Sequence, residues 1–254
     1  FLKTRSKRPD LATPSLHHAL RTAGFDGHPG SAFAVAEMRA GPGGLRVCLL
    51  VRVPGQPLAE FQVPGGDPAP FESAGRALAA LHECNVTPDR KWQAEDEAEV
   101  AVRALDAAAA RHPEAGDRIA VLRTRAAGLP DSGLIYKPAL LHRDFYPDQV
   151  LVDDGHMWLV DLDLAARGDA HVDLGNMLAH LDEYAIRQHG ASEALEPQKV
   201  AFLRGYAAAG GTWCNAALME LHAVSLMRHL DICNRIPGRS AAFRPLLEHI
   251  ESCP

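Results

Sequence analysis

The chain lacks any paired cysteine motif. Its five cysteines, Cys48, Cys84, Cys214, Cys233 and Cys253, are scattered, odd in number and never spaced C-x-x-C. That pattern argues against a zinc site or a disulfide framework and fits reduced thiols in a cytoplasmic protein. No apolar run approaches the roughly 20 residues needed to cross a bilayer. Phe1-Leu2-Lys3-Thr4-Arg5 carries no signal-peptide stretch, so no membrane partner is expected. Positive charge is in deficit: 26 Lys and Arg against 32 Asp and Glu give a formal net charge of −6. Non-specific nucleic-acid binding needs the opposite, a basic surface, so no nucleic-acid partner is expected. Signatures of other chemistries are missing too. There is no G-x-x-x-x-G-K-[ST] loop, no Gly-x-Ser-x-Gly and no H-E-x-x-H pair. The 13 histidines invite a metal-hydrolase reading on His142, Asp144, Asp161 and Asp163, but no second His near these acids supports it.

What is present is a chain of 254 residues, 47 % apolar, long enough for one large domain or two modest lobes. The first part reads as mixed α and β. Phe1–Thr4 fits the tail of a strand. Thr13-Pro14-Ser15 opens a helix with Leu16, Ala19, Leu20 and Ala23 at helical spacing and Gly24 as its stop. Two strands follow over Ala32–Arg39 and Leu45–Val53, around the turn Gly41-Pro42-Gly43-Gly44. Gly24, Gly27 and Gly30 follow a helix, not a strand, and read as loop. Pro54-Gly55-Gln56-Pro57 breaks the second strand, and the lobe boundary is drawn there. Helical patterns then run from Phe71 to His82, Glu95–Arg111, Ile119–Ala127, Leu174–Arg187, Gln198–Ala209, Ala216–Asn234 and Ala241–Glu251. Between the helical groups lie Val150-Leu151-Val152 and Trp158-Leu159-Val160, joined by the turn residues Asp153-Asp154-Gly155.

Chemistry concentrates around that hairpin. In Leu141-His142-Arg143-Asp144-Phe145-Tyr146-Pro147-Asp148-Gln149, a carboxylate follows an apolar run and an amide comes five residues later. Asp161 ends the second strand, seventeen positions after Asp144. Phosphoryl transfer needs such an inventory, because its loose transition state leaves the protein mostly to position and neutralise. One carboxylate must orient the attacking hydroxyl and take its proton. A second, with an oxygen-bearing neighbour, must hold a divalent cation against the phosphates. A hairpin between them fixes their separation.

His142-Arg143-Asp144 with its amide partner resembles the catalytic loop of protein kinases. The fuller pattern is similar to the aminoglycoside phosphotransferase and choline kinase-like family. It comprises His-x-Asp-x-x-x-x-amide, a strand, a Gly-bearing turn, a strand ending in Asp161, and Asp173-Leu174-Gly175 at a helix start. Upstream, Gly75–His82 resembles the first large-lobe helix, and Leu50-Val51-Arg52-Val53-Pro54-Gly55 the hinge strand. The resemblance implies an α+β, bilobal protein-kinase-like fold. Residues 1–54 would form a small strand-rich lobe and residues 55–254 a large helical one. It implies an enzyme that uses ATP or GTP with Mg²⁺ to phosphorylate a hydroxyl of a small-molecule acceptor. Asp144 then is the catalytic base, Asp161 the Mg²⁺ ligand, and Gln149 a metal ligand where the family has Asn. Lys3 takes the place of the phosphate-gripping lysine, and Val51 and Val53 border the nucleotide. Asp148 and Asp163 are spare carboxylates.

Other residues have plainer readings. His142 holds the loop by a backbone hydrogen bond, Arg143 pairs with a nearby carboxylate, and Asp173 is a helix N-cap. Trp213, Met219, Leu221, Leu226 and Met227 are core; His222, His229 and Asp231 read as solvated or capping, with the lining of an acceptor pocket, which the family resemblance implies for large-lobe helices, as the alternative. Two features depart from the family pattern. Thr13–Gly24 holds no acid to pair with Lys3, and the first strands with their Gly-rich loop are not in the chain. Because the sequence starts at Phe1 instead of Met, the expectation is that the native N-terminal portion lies upstream. Degeneration of the lobe is the alternative, and it would suit a non-catalytic kinase-like binding module.

Overall fold

Helix propensity and capping place most helices within a few residues of their expected ends. The computed structural model describes residues 2–4, 12–28, 30–40, 47–134 and 136–253. In chain order it holds β1 (Leu2–Thr4), α1 (Ala12–Thr22), β2 (Ala34–Val35), β3 (Met38–Ala40), β4 (Val47–Leu50) and β5 (Gln56–Pro57). Then come α2 (Ala69–Glu83), α3 (Ala94–Arg111), α4 (Gly116–Ala127), β6 (Pro138–Leu141), β7 (Val150–Asp153) and β8 (His156–Leu159). The remainder is β9 (Ala166–Asp169), α5 (His171–His189), α6 (Glu196–Ala208), α7 (Asn215–Arg235) and α8 (Phe243–Ser252). This is a mixed α+β chain. No helix among the described residues is long and apolar enough to cross a membrane.

Packing divides the chain into two units. The first comprises Phe1–Lys91, Ala139–Arg167 and Pro197–Thr212. It carries an antiparallel sheet ordered β1-β4-β3, with Lys3 opposite Cys48 and Arg39 opposite Leu49. The apolar strand β4 is thus central. A second sheet is ordered β2-β8-β7-β5. Its heart is the β7–β8 hairpin, in register from Val150↔Leu159 to Asp153↔His156. Asp154 and Gly155 form its two-residue turn with φ of 44° and 83°. Positive φ at both central residues is the type I′ arrangement, whose twist matches the flanking strands.

The single strand expected over Ala32–Arg39 is in fact two. Ala34–Val35 runs parallel to β8 and Met38–Ala40 antiparallel to β4. The chain changes sheets at Ala36, whose carbonyl accepts from His17 Nδ1 at 2.8 Å instead of from a strand neighbour. The expected turn at Gly41–Gly44 lies outside the described residues. Behind the sheets, Phe71, Leu78, Phe145, Phe202 and Tyr206 are fully buried. Helices α2 and α6 touch backbone to backbone at Gly75 and Gly205. At their ends His82 Nδ1 meets the Tyr206 hydroxyl at 2.9 Å.

The second unit comprises Trp92–Pro138, Gly168–Glu196 and Trp213–Pro254, and among the described residues it is almost entirely helical. Gln93 and Asp96 close a reciprocal capping box at the start of α3, which satisfies two of the four orphan amides there. Asp173 is not the N-cap of α5. The helix starts at His171, which puts Asp173 in its buried first turn. Asp169 serves the helix start instead: its Oδ1 accepts from His171 N at 3.1 Å, from Lys137 N at 3.3 Å, and lies 2.6 Å from His171 Nδ1. Two acids four residues apart both suit the helix start, and the one that precedes it reaches the free amides.

Candidate active site

Every residue singled out from the sequence as a site candidate belongs to the first unit. Asp144 follows β6, an apolar strand whose Ala139, Leu140 and Leu141 are buried. Between strand and Asp144 the backbone turns sharply, with Arg143 at φ 69°. Left-handed backbone costs a non-glycine residue about 1–2 kcal/mol, so something must hold it. His142 does part of this: it is fully buried, and its Nε2 donates to the Val160 carbonyl at 2.8 Å. Arg143 reaches the Leu164 carbonyl at 3.4 Å. These bonds pin the Asp144 loop to the segment after β8.

That segment carries Asp161, which is itself left-handed at φ 59°. Its Oδ1 lies 2.6 Å from Lys3 Nζ, and its side chain is 45 % exposed. Asp163, in the short turn Leu162–Leu164, puts Oδ2 2.5 Å from the same ammonium and is only 18 % exposed. Burial alone would lower the Lys3 pKa, but the hydrogen bonds to Asp161 and Asp163 outweigh it, and the net shift is upward. Lys3 is therefore a held cation, 158 residues from Asp161 in sequence.

Gln149 stands just before β7. Its carbonyl accepts from Val160 N at 3.0 Å, so the residue is held beside the strand that leads into Asp161. Its Nε2 donates to the Tyr146 hydroxyl at 3.2 Å. Tyr146 is a member that sequence reasoning missed. Burial, then the charges of Asp144 and Asp148 and, more weakly, Asp161, raise its phenol pKa. The phenol thus lies within the field of these three carboxylates. His17, on α1, is a further neighbour. It is buried and held to Ala36, and it feels the charges of Asp163, Lys3 and His142; burial dominates and keeps its pKa low.

Lys3, Val51 and Val53 line a single cavity of about 430 Å³, together with Ala36, Leu151 and Val160. Its wall is mostly aliphatic, and Lys3 and Arg52 are its charged lining residues. At its edge Gly55 has φ 101°, and a Cβ there would stand 2.7 Å from the Val152 carbonyl oxygen. Only glycine gives the hinge that bend. The donor set fits Mg²⁺: it consists of hard oxygen ligands, and Mg²⁺ is commonly held by one or two carboxylates plus phosphates and water. Among the described residues no group of three or more His, Cys, Asp and Glu could hold a metal by itself.

The late-helix residues belong to the second unit. His229 is neither solvated nor capping: it is buried edge-on to His180, with ring centroids 4.4 Å apart. His222 Nε2 lies 2.8 Å from the buried Asp182, and Asp231 pairs with Arg111 and Arg235.

Residues 11–221 match the phosphotransferase enzyme family. Solved structures match along nearly the whole chain. A glucosamine kinase is 18 % identical in each of two crystal forms, and its structure in complex with glucosamine, ADP and inorganic phosphate also matches. In that complex the identity is 19 %, over 98 % of this chain and 75 % of that one, with a TM-score of 0.68. A choline/ethanolamine kinase family protein from Mesorhizobium loti is 16 % identical over 99 % of this chain and 81 % of that one, TM-score 0.62. A spectinomycin phosphotransferase in complex with ADP and spectinomycin is 14 % identical over 99 % and 84 %, TM-score 0.64. No curated protein matches the sequence. At these identities the structural likenesses speak for the fold alone, which is protein-kinase-like, while the family match over residues 11–221 speaks for descent: the chain belongs to the phosphotransferase enzyme family.

Proposed function

We propose that the protein transfers the γ-phosphate of ATP or GTP, with Mg²⁺, to a hydroxyl of a small-molecule acceptor. The observation that carries this reading is a held ammonium in the lining of a mostly aliphatic cavity. Lys3 lines the same cavity as Val51 and Val53 and ion-pairs with Asp161. An aliphatic slot suits a flat base, and a cation in its lining suits phosphates.

In this reading Val51 and Val53 flank the base and Lys3 neutralises phosphate oxygens. Asp161, with Gln149 as a further oxygen donor, would hold Mg²⁺, which would supply positive charge against the developing charge on the phosphates. Asp144 aims the acceptor hydroxyl and takes its proton, a contribution typically of about 10²–10⁴ in rate. Tyr146, with its raised pKa, stays protonated at neutral pH and is a hydrogen-bond donor amid the carboxylates. For the acceptor only the family offers a guide, and sugars, amino alcohols and aminocyclitols are the panel to try.

The test is nucleotide-dependent phosphorylation across such a panel, glucosamine, choline and spectinomycin included. Asp144→Asn should lower kcat by at least about 10²-fold while nucleotide still binds. Full activity in that variant would sink the role of Asp144. A second reading, a kinase-like module that binds nucleotide without turnover, is favoured by Gln149 in place of Asn and by the absence of any acid on α1. It predicts binding with no acceptor phosphorylation anywhere in the panel, and detectable transfer would exclude it.

A further inference from the structure

We infer that Asp163 is the residue that positions Lys3 for the nucleotide phosphates, in the place that an acidic residue on α1 would otherwise fill. The inference rests on the proposed function and assigns one of its ion pairs. A phosphate-gripping lysine needs a counter-charge that orients its ammonium yet is not itself a metal ligand. Helix α1, Ala12–Thr22, supplies none: its ionisable side chains are His17, His18 and Arg21. His17 is the one of these whose field reaches the pair. Burial outweighs its bond to the Ala36 carbonyl and holds the imidazole's pKa below its ordinary value, so it is no counter-charge for Lys3.

Two carboxylates do meet Lys3, and their surroundings differ. Asp161 is nearly half-exposed and is the candidate cation ligand. Asp163 is largely covered and makes the shorter contact, at 2.5 Å. Its backbone is anchored as well: Arg90 Nη1 donates to the Asp163 carbonyl at 2.9 Å, and Ala165 N closes the turn onto the Leu162 carbonyl at 3.1 Å. The left-handed Asp161 throws the chain into that turn, so the two side chains reach the same ammonium from adjacent positions. A lysine shared by a ligand carboxylate and a fixed one keeps its orientation when the first is drawn to a cation. The fixed partner, Asp163, is then what holds it.

The test is a double-mutant cycle read by binding. Titration of the purified protein with Mg²⁺ and a fluorescent N-methylanthraniloyl-ADP probe measures the grip on phosphates without turnover. Asp163→Asn should weaken probe binding about 10- to 100-fold, the usual range for losing a charge-assisted hydrogen bond. Asp163→Glu should recover part of the loss. Lys3→Met should weaken binding at least as much, and adding Asp163→Asn to Lys3→Met should cost nothing more, since the two act as one. In the acceptor panel, the same variants should lower kcat/KM for nucleotide and leave KM for acceptor unchanged. Should Asp163→Asn fail to fold, Asp163→Glu and Asp163→Ser in the same cycle give the same reading. Wild-type binding by Asp163→Asn, or a further full loss on the Lys3→Met background, would overturn the inference. A wild type that binds the probe but phosphorylates nothing would overturn the proposed transfer and leave the binding cycle to decide on Asp163. A wild type that binds no nucleotide would overturn both.

Discussion

Gly205→Ala should destabilise the protein, although the substitution normally strengthens a helix. Gly205 lies in α6, where a built Cβ would come within 2.7 Å of the Glu72 carbonyl carbon in α2 and nearer still to its oxygen. Gly75 makes the reciprocal approach, 2.7 Å from Tyr206 N. An ordinary Cβ contact is about 3.4 Å or more, so the helices would have to part by at least about 0.7 Å. Both atoms concerned are backbone, so no rotamer change relieves the clash. Overpacking costs about 1–3 kcal/mol, and two rigid helix backbones put this site at the upper end. Alanine returns about 1 kcal/mol through helix propensity. The net loss is about 2 kcal/mol, a fall in Tm of about 4–8 °C for a chain of this size. Gly116→Ala is the control: it opens α4, and nothing lies within 4 Å of its Cβ. That variant should be unchanged or more stable by up to about 1 kcal/mol. Thermal and urea unfolding of the two variants measures the contrast. A Gly205→Ala protein as stable as wild type would refute the close packing, and equal losses at both sites would refute the reasoning from contact.

Two other substitutions probe the second unit. His229 is buried, with Nδ1 lacking a hydrogen-bond partner. Burial first, then the charges of Arg228, Arg239, Arg187 and His222, lower its pKa to about 3. As pH falls below about 6.5 the unfolded chain takes up this proton and the native chain does not, so native stability drops by up to about 1.4 kcal/mol per pH unit until pH nears 3. In urea titrations, His229→Leu should therefore gain on wild type as the pH falls from 6.5 to 4.5, and a constant difference would show that the ring is protonated in the fold. Glu97 is buried in α3, where it accepts from Trp92 Nε1 at 2.7 Å and Arg228 Nη1 at 3.2 Å. Glu97→Ala should cost about 3 kcal/mol by stranding the guanidinium, and Glu97→Gln distinctly less because its amide oxygen still accepts. Chemical denaturation that ranked Gln at or below Ala would contradict this.

What could be read from the sequence was local. The helix expected over Glu95–Arg111 spans Ala94–Arg111, because a long run of good helix formers sits behind a capping box made from neighbours. The β7–β8 hairpin was legible because Asp154-Gly155 encodes its turn by itself. Two- and three-residue strands were not. Ala34–Val35 joins β8, whose residues lie more than 120 positions away, and no periodicity over two residues announces a parallel partner. The motif gave the spacing of Asp144, Gln149 and Asp161, all within one short stretch. It could not give Asp163 as the neighbour of Lys3, or His17 beside them, since those juxtapositions are tertiary. Tyr146 offered a weak signal, an aromatic between two acids, that only the fold turns into a phenol held amid carboxylates.

The backbone of the site carries its own argument. Among the described residues, positive φ outside glycine occurs at Arg143, Asp154 and Asp161. Asp154 is accounted for by its hairpin turn. The other two immediately precede or coincide with a candidate functional carboxylate, and strained backbone that persists must be over-determined by its surroundings. The surroundings are visible: His142 Nε2 bonds the Val160 carbonyl, and Val160 N bonds the Gln149 carbonyl. A single residue, Val160, thus ties the loop before Asp144 to the turn at Asp161 through its carbonyl and to Gln149 through its amide. The histidine at position 142 is needed as a donor as much as for its ring, because it is the side chain that bonds the Val160 carbonyl. Strain of a few kcal/mol at the two turns is offset by bonds that themselves run between the candidate residues. The geometry of Asp144 relative to Asp161 is therefore fixed by the chain's own hydrogen bonds, and substrate need only meet it.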